Sequence, residues 1–341
     1  MSTYYRRLPI YLLLDCSESM AGGSFDGLTL GLATMVNELR SDPMALESAA
    51  LSLITFSGVA RQLVPLTEVF KFNVPRLKLG SGTALGAALA LLESCLEREI
   101  VKTTREQKGD YKPVCFIVTD GEPTDVWEAI ADRIRTTICG KKANVIGIGC
   151  GPDADLDKLR RVTDVVISMN DSKEASFSRF FKWVTASVSS ASQALERGGD
   201  RPINLPDLPA ECLEVAKKGV ARNQPGAGRH FFLHARCLRN GGFFLVRYSL
   251  AGTPYKCLGV HPLDDFDMEG VNDAKGPQIG SEQLGDPLPC PYCKNPLVGA
   301  CSKGHFHCCP MITEPISLTC PWCKVTDIYG YAAFGIDGGA G

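Results

Sequence analysis

The chain has 341 residues, enough for two or three domains of roughly 100–200 residues each. Hydrophobic residues make up 45% and charged residues 22%. The 36 Lys and Arg nearly balance the 38 Asp and Glu, so a net charge of −2 gives no global pull toward nucleic acid or an anionic membrane.

No apolar run approaches the roughly 18 residues that cross a bilayer, which argues against a membrane-spanning chain. Leu8–Leu14 is short, ends at Asp15 and lacks a small-residue cleavage site, so it predicts a strand and not a signal peptide. Leu28–Leu39 has apolar residues at 28, 32, 35, 36 and 39, the spacing of a buried helix face. Ala50–Phe56 predicts a second strand, and Val59–Val64, after Ser57-Gly58, a hairpin to an edge strand. Thr83–Leu96 and Val126–Ile138 predict helices. Val114–Val118, Val145–Ile148 and Val165–Ile167 predict three more strands. Lys173–Ala194 predicts the last helix, with Phe177, Phe180, Phe181, Val184 and Val188 on one core-facing side. Strands that are apolar throughout and alternate with helices imply a doubly wound, mostly parallel α/β sheet.

The composition changes after Arg197. Gly198-Gly199 and prolines at 202, 206 and 209 read as a linker. His230–Leu238 and Phe243–Leu250, joined by Arg239-Asn240-Gly241-Gly242, predict a hairpin. Residues 263–289, acidic and then rich in Gly and Pro, read as a second linker. The expected organisation is a domain over 5–195, a linker over 196–228, a small β-rich segment and linker over 229–285, and a Cys/His domain over 286–330.

Three loops collect oxygen donors. The first strand runs into Asp15-Cys16-Ser17-Glu18-Ser19. Gly80-Ser81-Gly82-Thr83 precedes a helix. Thr119-Asp120-Gly121-Glu122-Pro123-Thr124-Asp125 ends another strand. In a doubly wound sheet, ligands bind beyond the carboxyl ends of the strands. Hard oxygen donors select Mg²⁺, Mn²⁺ or Ca²⁺ over zinc. Helix capping and turn formation alone would explain one such loop, but not three at one end of a sheet. Glu122 and Asp125 are the only nearby general-base candidates, by loop proximity alone, so the reading is non-enzymatic.

These motifs resemble the von Willebrand factor A domain with its metal-ion-dependent adhesion site, over residues 5 to about 195. The resemblance extends to the bacterial tellurite-resistance TerY group through Arg7–Asp15, Ile54-Thr55-Phe56, Val64-Pro65-Leu66-Thr67, Gly82–Gly86 and Phe180–Val184. It implies that Ser17, Ser19 and Thr83 contact the metal directly, and that Asp15 and Asp120 hold it largely through waters. Few direct carboxylates leave the ion residual positive charge and an open position for a partner's Asp or Glu. Glu18, not a ligand in the family, adds negative charge that weakens an acidic partner or tightens metal retention. The resemblance further implies a scaffold in stress or defence signalling, with a protein kinase and a metal-dependent protein phosphatase as partners.

The chain has 15 cysteines, seven of them between Cys290 and Cys323, a distribution that suggests reduced thiols plus a metal module in a cytoplasmic protein. Cys290-Pro291-Tyr292-Cys293 and Cys320-Pro321-Trp322-Cys323 are paired at zinc-knuckle spacing. Between them lie Cys301, His305, His307, Cys308 and Cys309. In a zinc ribbon the outer pairs would share one ion and the inner residues form a second site. In a cross-braced, RING-like module Cys301, His305 and Cys308 would interleave with the pairs, but the ligand wanted near Met311 is missing. His307 and Cys309 are the candidates to stand in for it. The expected zinc ligands are Cys290, Cys293, Cys301, His305, Cys308, Cys320 and Cys323, for one or two ions. A ubiquitin-ligase-like protein and a scaffold of a transcription or repair complex are the competing functions. His230, His234 and His261 read as surface or hairpin residues. The Gly-x-Gly run at 147–151 reads as a strand-end turn.

Overall fold

Every residue of Leu8–Asp15 is buried, as an unbroken apolar run requires of a strand covered on both faces. It forms β1 in the computed structural model of the chain. That structure describes residues 6–120, 122–151, 154–163, 165–169, 171, 173–196, 208–209, 213–215, 230–250, 252–263, 266–267, 278–330, 335–337 and 339–340. The chain divides into two compact units. One comprises Met1–Cys16, Gly22–Leu77 and Thr83–Arg222, and the other Ser17–Ala21, Lys78–Gly82 and Asn223–Gly341.

In the first unit, α1 (Gly23–Ser41) and α2 (Pro43–Ser48) follow β1 and lead to β2 (Ala49–Phe56) and β3 (Ala60–Glu68). The two-residue β4 (Leu79–Gly80) belongs to the second unit. Then come α3 (Leu85–Glu99), β5 (Val114–Thr119), α4 (Glu128–Thr137), β6 (Asn144–Cys150), α5 (Leu156–Val162), β7 (Val165–Met169), α6 (Glu174–Glu196) and β8 (Leu213–Val215). The sheet order is β3-β2-β1-β5-β6-β7-β8. The inner pairs are parallel, and β3 and β8 close the edges as antiparallel strands. This is the predicted doubly wound sheet. β8 lies within the stretch whose composition reads as a linker. Its three residues pair with β7 through Ile167↔Val215 and its neighbours.

Alternate side chains face opposite layers. Tyr11, Leu13, Cys115 and Ile117 pack with Leu89 and Leu92 of α3 and Ile130 and Ile134 of α4. Phe116 points the other way, edge-on to Phe180 and Trp183 of α6 at 6.2 and 6.1 Å between centroids. There α1 crosses α6 at close range. A Cβ on Gly27 would fall 2.8 Å from the Glu174 Cα, and one on Gly31 2.3 Å from the Phe181 ring. Only glycine permits that approach.

The second unit holds β9 (His230–Arg236) and β10 (Phe243–Ser249), the predicted hairpin, followed by β11 (Cys257–Leu263). β12 (Phe266–Asp267) pairs in parallel with β4. After β13 (Gln278–Gly280) come two short hairpins, β14 (Leu297–Ala300) with β15 (Phe306–Cys309) and β16 (Ile316–Thr319) with β17 (Thr326–Tyr329). β18 (Gly335–Asp337) pairs with β13, and β19 (Gly339–Ala340) with β9. The larger sheet runs β11-β10-β9-β15-β14. One Cys/His hairpin therefore continues the sheet of the middle segment, joined at His307↔Arg236.

Candidate metal centres

β1 and β5 are parallel neighbours in register at Leu14↔Val118, so Asp15 and Asp120 leave the sheet at the same carboxyl end. Asp15 is fully buried, and the Thr119 hydroxyl donates to its Oδ2 at 2.5 Å. Thr83 precedes α3 and is tied to the loop after β5 in both directions. Its N–H donates to Thr124 Oγ1 at 2.9 Å, and the Thr124 N–H donates to its carbonyl at 2.9 Å. The Thr83 hydroxyl is buried without a hydrogen-bond partner among the described residues. A buried polar atom left unmatched costs about 1–3 kcal/mol, so an oxygen so placed fits a metal ligand better than a turn former.

The two general-base candidates are already occupied. Asp125 accepts from the Gly86 and Ala87 N–H groups at the start of α3, at 3.0 and 2.9 Å. A Cβ on Gly86 would meet the Val126 carbonyl at 2.6 Å, which makes this close approach glycine-dependent. Glu122 is largely exposed and pairs with Lys158 at 3.1 Å.

The loop beyond β1 carries Ser17 and Ser19, both buried, with hydroxyl oxygens 2.9 Å apart. Burial pushes the Cys16 thiol far up, which keeps it protonated and inert. Glu18 is 1% exposed, and its Oε2 accepts from the Gly82 N–H at 3.1 Å. Its Oε1 stands 2.6 Å from His234 Nε2 on β9. That approach is ionic in distance but not aligned as a hydrogen bond, and neither atom has a hydrogen-bond partner elsewhere among the described residues. Of the surface-or-hairpin reading, the hairpin half holds for His234, but strand packing puts its ring against a buried carboxylate and not at the surface.

Seven cysteine sulfurs and one histidine nitrogen form two groups of four, each with ligand atoms within 4.8 Å of one another. Cys290, Cys293 and Cys308 gather with Cys237. Cys301 and His305 gather with Cys320 and Cys323. The two C-P-x-C pairs thus lie in different groups, which removes the ribbon arrangement in which they share one ion. The interleaved order is the cross-braced one, and the fourth member of the first group is Cys237, not a residue near Met311. Neither His307 nor Cys309 stands in. His307 is a satisfied core residue, its Nδ1–H donating to the Cys308 carbonyl at 2.9 Å and its Nε2 accepting from the Tyr329 hydroxyl at 2.7 Å. Cys237 lies near the end of the predicted run His230–Leu238, and no Cys/His spacing within that run marks it.

The knuckles are built alike. Lys294 and Lys324 each take a left-handed conformation, φ 65° and 62°, and donate their N–H to the carbonyls of Cys290 and Cys320 at 3.0 Å. The N–H groups of Cys290 and Cys320 donate to Asn295 and Val325 at 2.9 and 2.8 Å. Separations of 3.5 Å for Cys293–Cys308 and 3.8 Å for Cys301–Cys323 are far beyond the roughly 2.05 Å of a disulfide and near the 3.8 Å or so between thiolates on one tetrahedral zinc. Burial raises Cys290 and Cys320. At Cys293 burial is outweighed by the Asn295 N–H and neighbouring sulfurs. At Cys323 the Val325 N–H dominates, so both second knuckle thiols fall below the ordinary value. Amide donors aimed at sulfur favour thiolates, the form that binds metal.

Comparison with known proteins bears on the first unit. The model of the von Willebrand factor type A domain matches residues 10–182, half of the chain. Matrilin-3 of Gallus gallus is 26% identical over 162 residues, covering 46% of this chain and 34% of that protein. Among solved structures, a von Willebrand factor type A protein from Catenulispora acidiphila has a TM-score of 0.43 at 15% identity, over 79% of this chain and 68% of its own. Proximal thread matrix protein 1 from the mussel byssus, with a zinc-occupied MIDAS motif, has a TM-score of 0.38 at 16% identity, over 53% of this chain and 48% of its own. The chain thus spans about a third of matrilin-3 and about half of the mussel protein.

Proposed function

Because the chain belongs to the von Willebrand factor type A domain family, we propose that it is a metal-dependent protein-interaction scaffold whose adhesion site is built from Asp15, Ser17, Ser19, Thr83 and Asp120. The observation that carries this reading is the buried, partnerless Thr83 hydroxyl, tied to the strand-end loop that bears Asp120. A bound divalent cation, Mg²⁺ or else Mn²⁺ or Ca²⁺, supplies an open coordination position for a carboxylate of a partner. The chain's part is to fix the donors: Thr119 orients Asp15, and Thr124 orients Thr83. With Asp125 capping α3 and Glu122 paired to Lys158, the loops support binding and not catalysis.

The two sulfur groups are read as structural zinc sites, one ion each, with eight ligands including Cys237. Four protein donors per ion leave no open position, the mark of a structural site. By its resemblance to the tellurite-resistance group, the proposed role is recruitment of a protein kinase and a metal-dependent protein phosphatase in cytoplasmic stress signalling. Among the described residues no helix is long and apolar enough to cross a membrane. Mn²⁺ titration followed by electron paramagnetic resonance tests the site. Asp15→Ala and Thr83→Ala should each weaken binding by tenfold or more relative to the wild type, as changes in a metal's immediate surroundings do. Co-purification of kinase and phosphatase that is unchanged by EDTA and by Asp15→Ala overturns metal-dependent recruitment.

The interleaved ligand order favours one second reading, a RING-like ubiquitin ligase. Autoubiquitination with a generic conjugating enzyme would establish it, and its absence leaves the scaffold.

A further inference from the structure

We propose that the outer edge of β14 is the floor of a second interaction surface, one that shares no residue with the cation site. It takes an extended segment of a partner protein as an added strand, with side chains alternating between apolar and basic. All of its residues belong to the second unit.

β14 ends the larger sheet, and among the described residues it pairs with β15 alone. In an antiparallel ladder alternate residues direct their N–H and C=O groups to the partner, so half of this short strand directs them outward. Exposed edges are commonly blunted by charge or proline. The opposite edge of the sheet, β11, carries His261 and Pro262, whereas β14 reads Leu-Val-Gly-Ala. A cavity of about 510 Å³ borders every residue of β14. Its lining comes from both faces of the sheet. Leu297 and Ala300 are three residues apart on a strand and so point to opposite faces. Ala300 packs with Tyr248 and Leu284, and Leu297 with Cys309, Ile312 and Tyr329. A space bordered by both faces of an edge strand, and by the strand itself, runs along its unpaired edge.

Both walls of the groove are fixed in place. On one side the segment 281–287 is tied to Tyr255, whose N–H donates to the Gln283 carbonyl at 2.7 Å and whose carbonyl accepts from Gly285 N–H at 2.8 Å. On the other, the Tyr329 hydroxyl is held by His307 Nε2 at 2.7 Å. Walls formed in advance lower the ordering cost of binding. Their chemistry differs. Glu282 and Asp286, both exposed, are the only charged side chains that line the groove, and both lie on the first wall. The second wall offers Ile312, Tyr329 and Ile328, the last 80% exposed. An added strand sends alternate side chains to opposite faces, so one set meets carboxylates and the other meets apolar groups. Main-chain hydrogen bonds to β14 then give affinity, and the two walls give specificity. A second copy is the poorer occupant. Pairing β14 with β14 brings the Glu282 and Asp286 of both copies to one seam with no cation to match them.

The test is calorimetric titration of the zinc-loaded full chain with an end-blocked peptide of alternating valine and lysine, about eight residues long. Hydrogen exchange on the same complex locates the contact. The alternating peptide should bind more tightly than a peptide of the same composition with its valines and lysines in two blocks, and more tightly than alternating valine and glutamate. It should slow exchange at β14 and leave β11 unchanged. N-methylation of alternate residues, made in both registers, should abolish binding in one register, because it removes the donors that face the strand. Glu282→Lys with Asp286→Lys should weaken the lysine peptide about tenfold, as two exposed attractions become repulsions, and should tighten the glutamate peptide. Equal binding of the alternating and block peptides, indifference to N-methylation in both registers, or slowed exchange away from β14 overturns the proposal. If the double variant does not fold, the peptide series alone decides. Self-association of the chain that Ile328→Asp disrupts assigns the edge to a second copy and overturns the proposal equally.

Discussion

Replacing Cys237 with serine removes one sulfur from the first group and leaves the fold of its strand intact. Its four sulfurs lie within 4.8 Å of one another, and Leu238 N–H and Asn295 Nδ2 donate to Cys308 Sγ at 3.2 and 3.5 Å. Wild type should therefore carry two zinc ions per chain and the variant one. The stability change follows from mass action. A site held at a free zinc level 1,000 times its Kd contributes about 4.1 kcal/mol. If the lost sulfur raises Kd to the free zinc level, about 0.4 kcal/mol remains, a loss of about 3.7 kcal/mol. The assay is zinc per chain by plasma mass spectrometry after gel filtration, with urea unfolding in zinc buffer alongside. Cys309→Ser is the matched control, because Cys309 follows Cys308, is as buried, and lies in neither group. Two zinc ions in Cys237→Ser, or one in Cys309→Ser, refutes the ligand assignment.

Two further changes test the first unit by urea unfolding. Gly27→Ala drives a methyl to within 2.8 Å of the Glu174 backbone, and overpacking of about 1–3 kcal/mol exceeds the roughly 1 kcal/mol gain in helix propensity. Gly23→Ala on the same helix meets nothing within 4 Å and should be neutral or stabilising, so equal losses at the two positions would refute the packing argument. Asp42 caps α2 by accepting from the N–H groups of Met44 and Ala45. A hydrogen bond from Ser189, then those amides, holds its carboxyl below the usual range. Its folded value lies below its unfolded one, so the contribution is complete above about pH 4 and is lost as pH falls through the folded value. Asp42→Ala should cost about 1 kcal/mol at pH 7, and the gap from wild type should close in acid. A gap that is the same at both pH values refutes this.

The parts of the fold that were legible in sequence depend on local pattern. β1, β2, β5, β6 and β7 are unbroken apolar runs, and α1, α3, α4 and α6 carry helical spacing. The edge hairpin was marked by Ser57-Gly58, and the β9–β10 hairpin by Asn240-Gly241. Strands set by their neighbours were not legible. β4 and β12 have two residues each and exist only because they pair with each other, and β8 exists by pairing with β7. The same holds at the sites. The oxygen donors were readable because each sits at the end of its own strand or the start of its own helix. Seven of the eight members of the two groups lie in the local Cys/His clusters between Cys290 and Cys323. Cys237 and the contact of His234 with Glu18 were not legible, because both depend on which strands lie beside β9. No spacing within one segment encodes that.

Metal removal tests the second unit by a different route. β14, β15, β16 and β17 have four residues each, and two-stranded hairpins of that length are marginal in water on their own. One small buried cluster, Cys301, Cys309, Ile312, Cys320 and Tyr329, has only Leu297, Ile316, Leu318, Trp322 and Cys323 partly buried against it, while Phe306 and Cys308 of β15 pack with β9 and β10. Structural zinc supplies roughly 10–16 kcal/mol in comparable small sites, far more than such hairpins supply. A zinc-selective chelator should therefore bring the amides of residues 290–329 to unfolded hydrogen-exchange rates. The amides of β1, β5 and β6 should stay protected, because their sheet is held by an apolar core with helices on both faces and contains none of the eight donors. Protection of 290–329 that survives complete removal of zinc would show that the sulfur groups are packed thiols, and that the short hairpins are held by the sheet they join at β9.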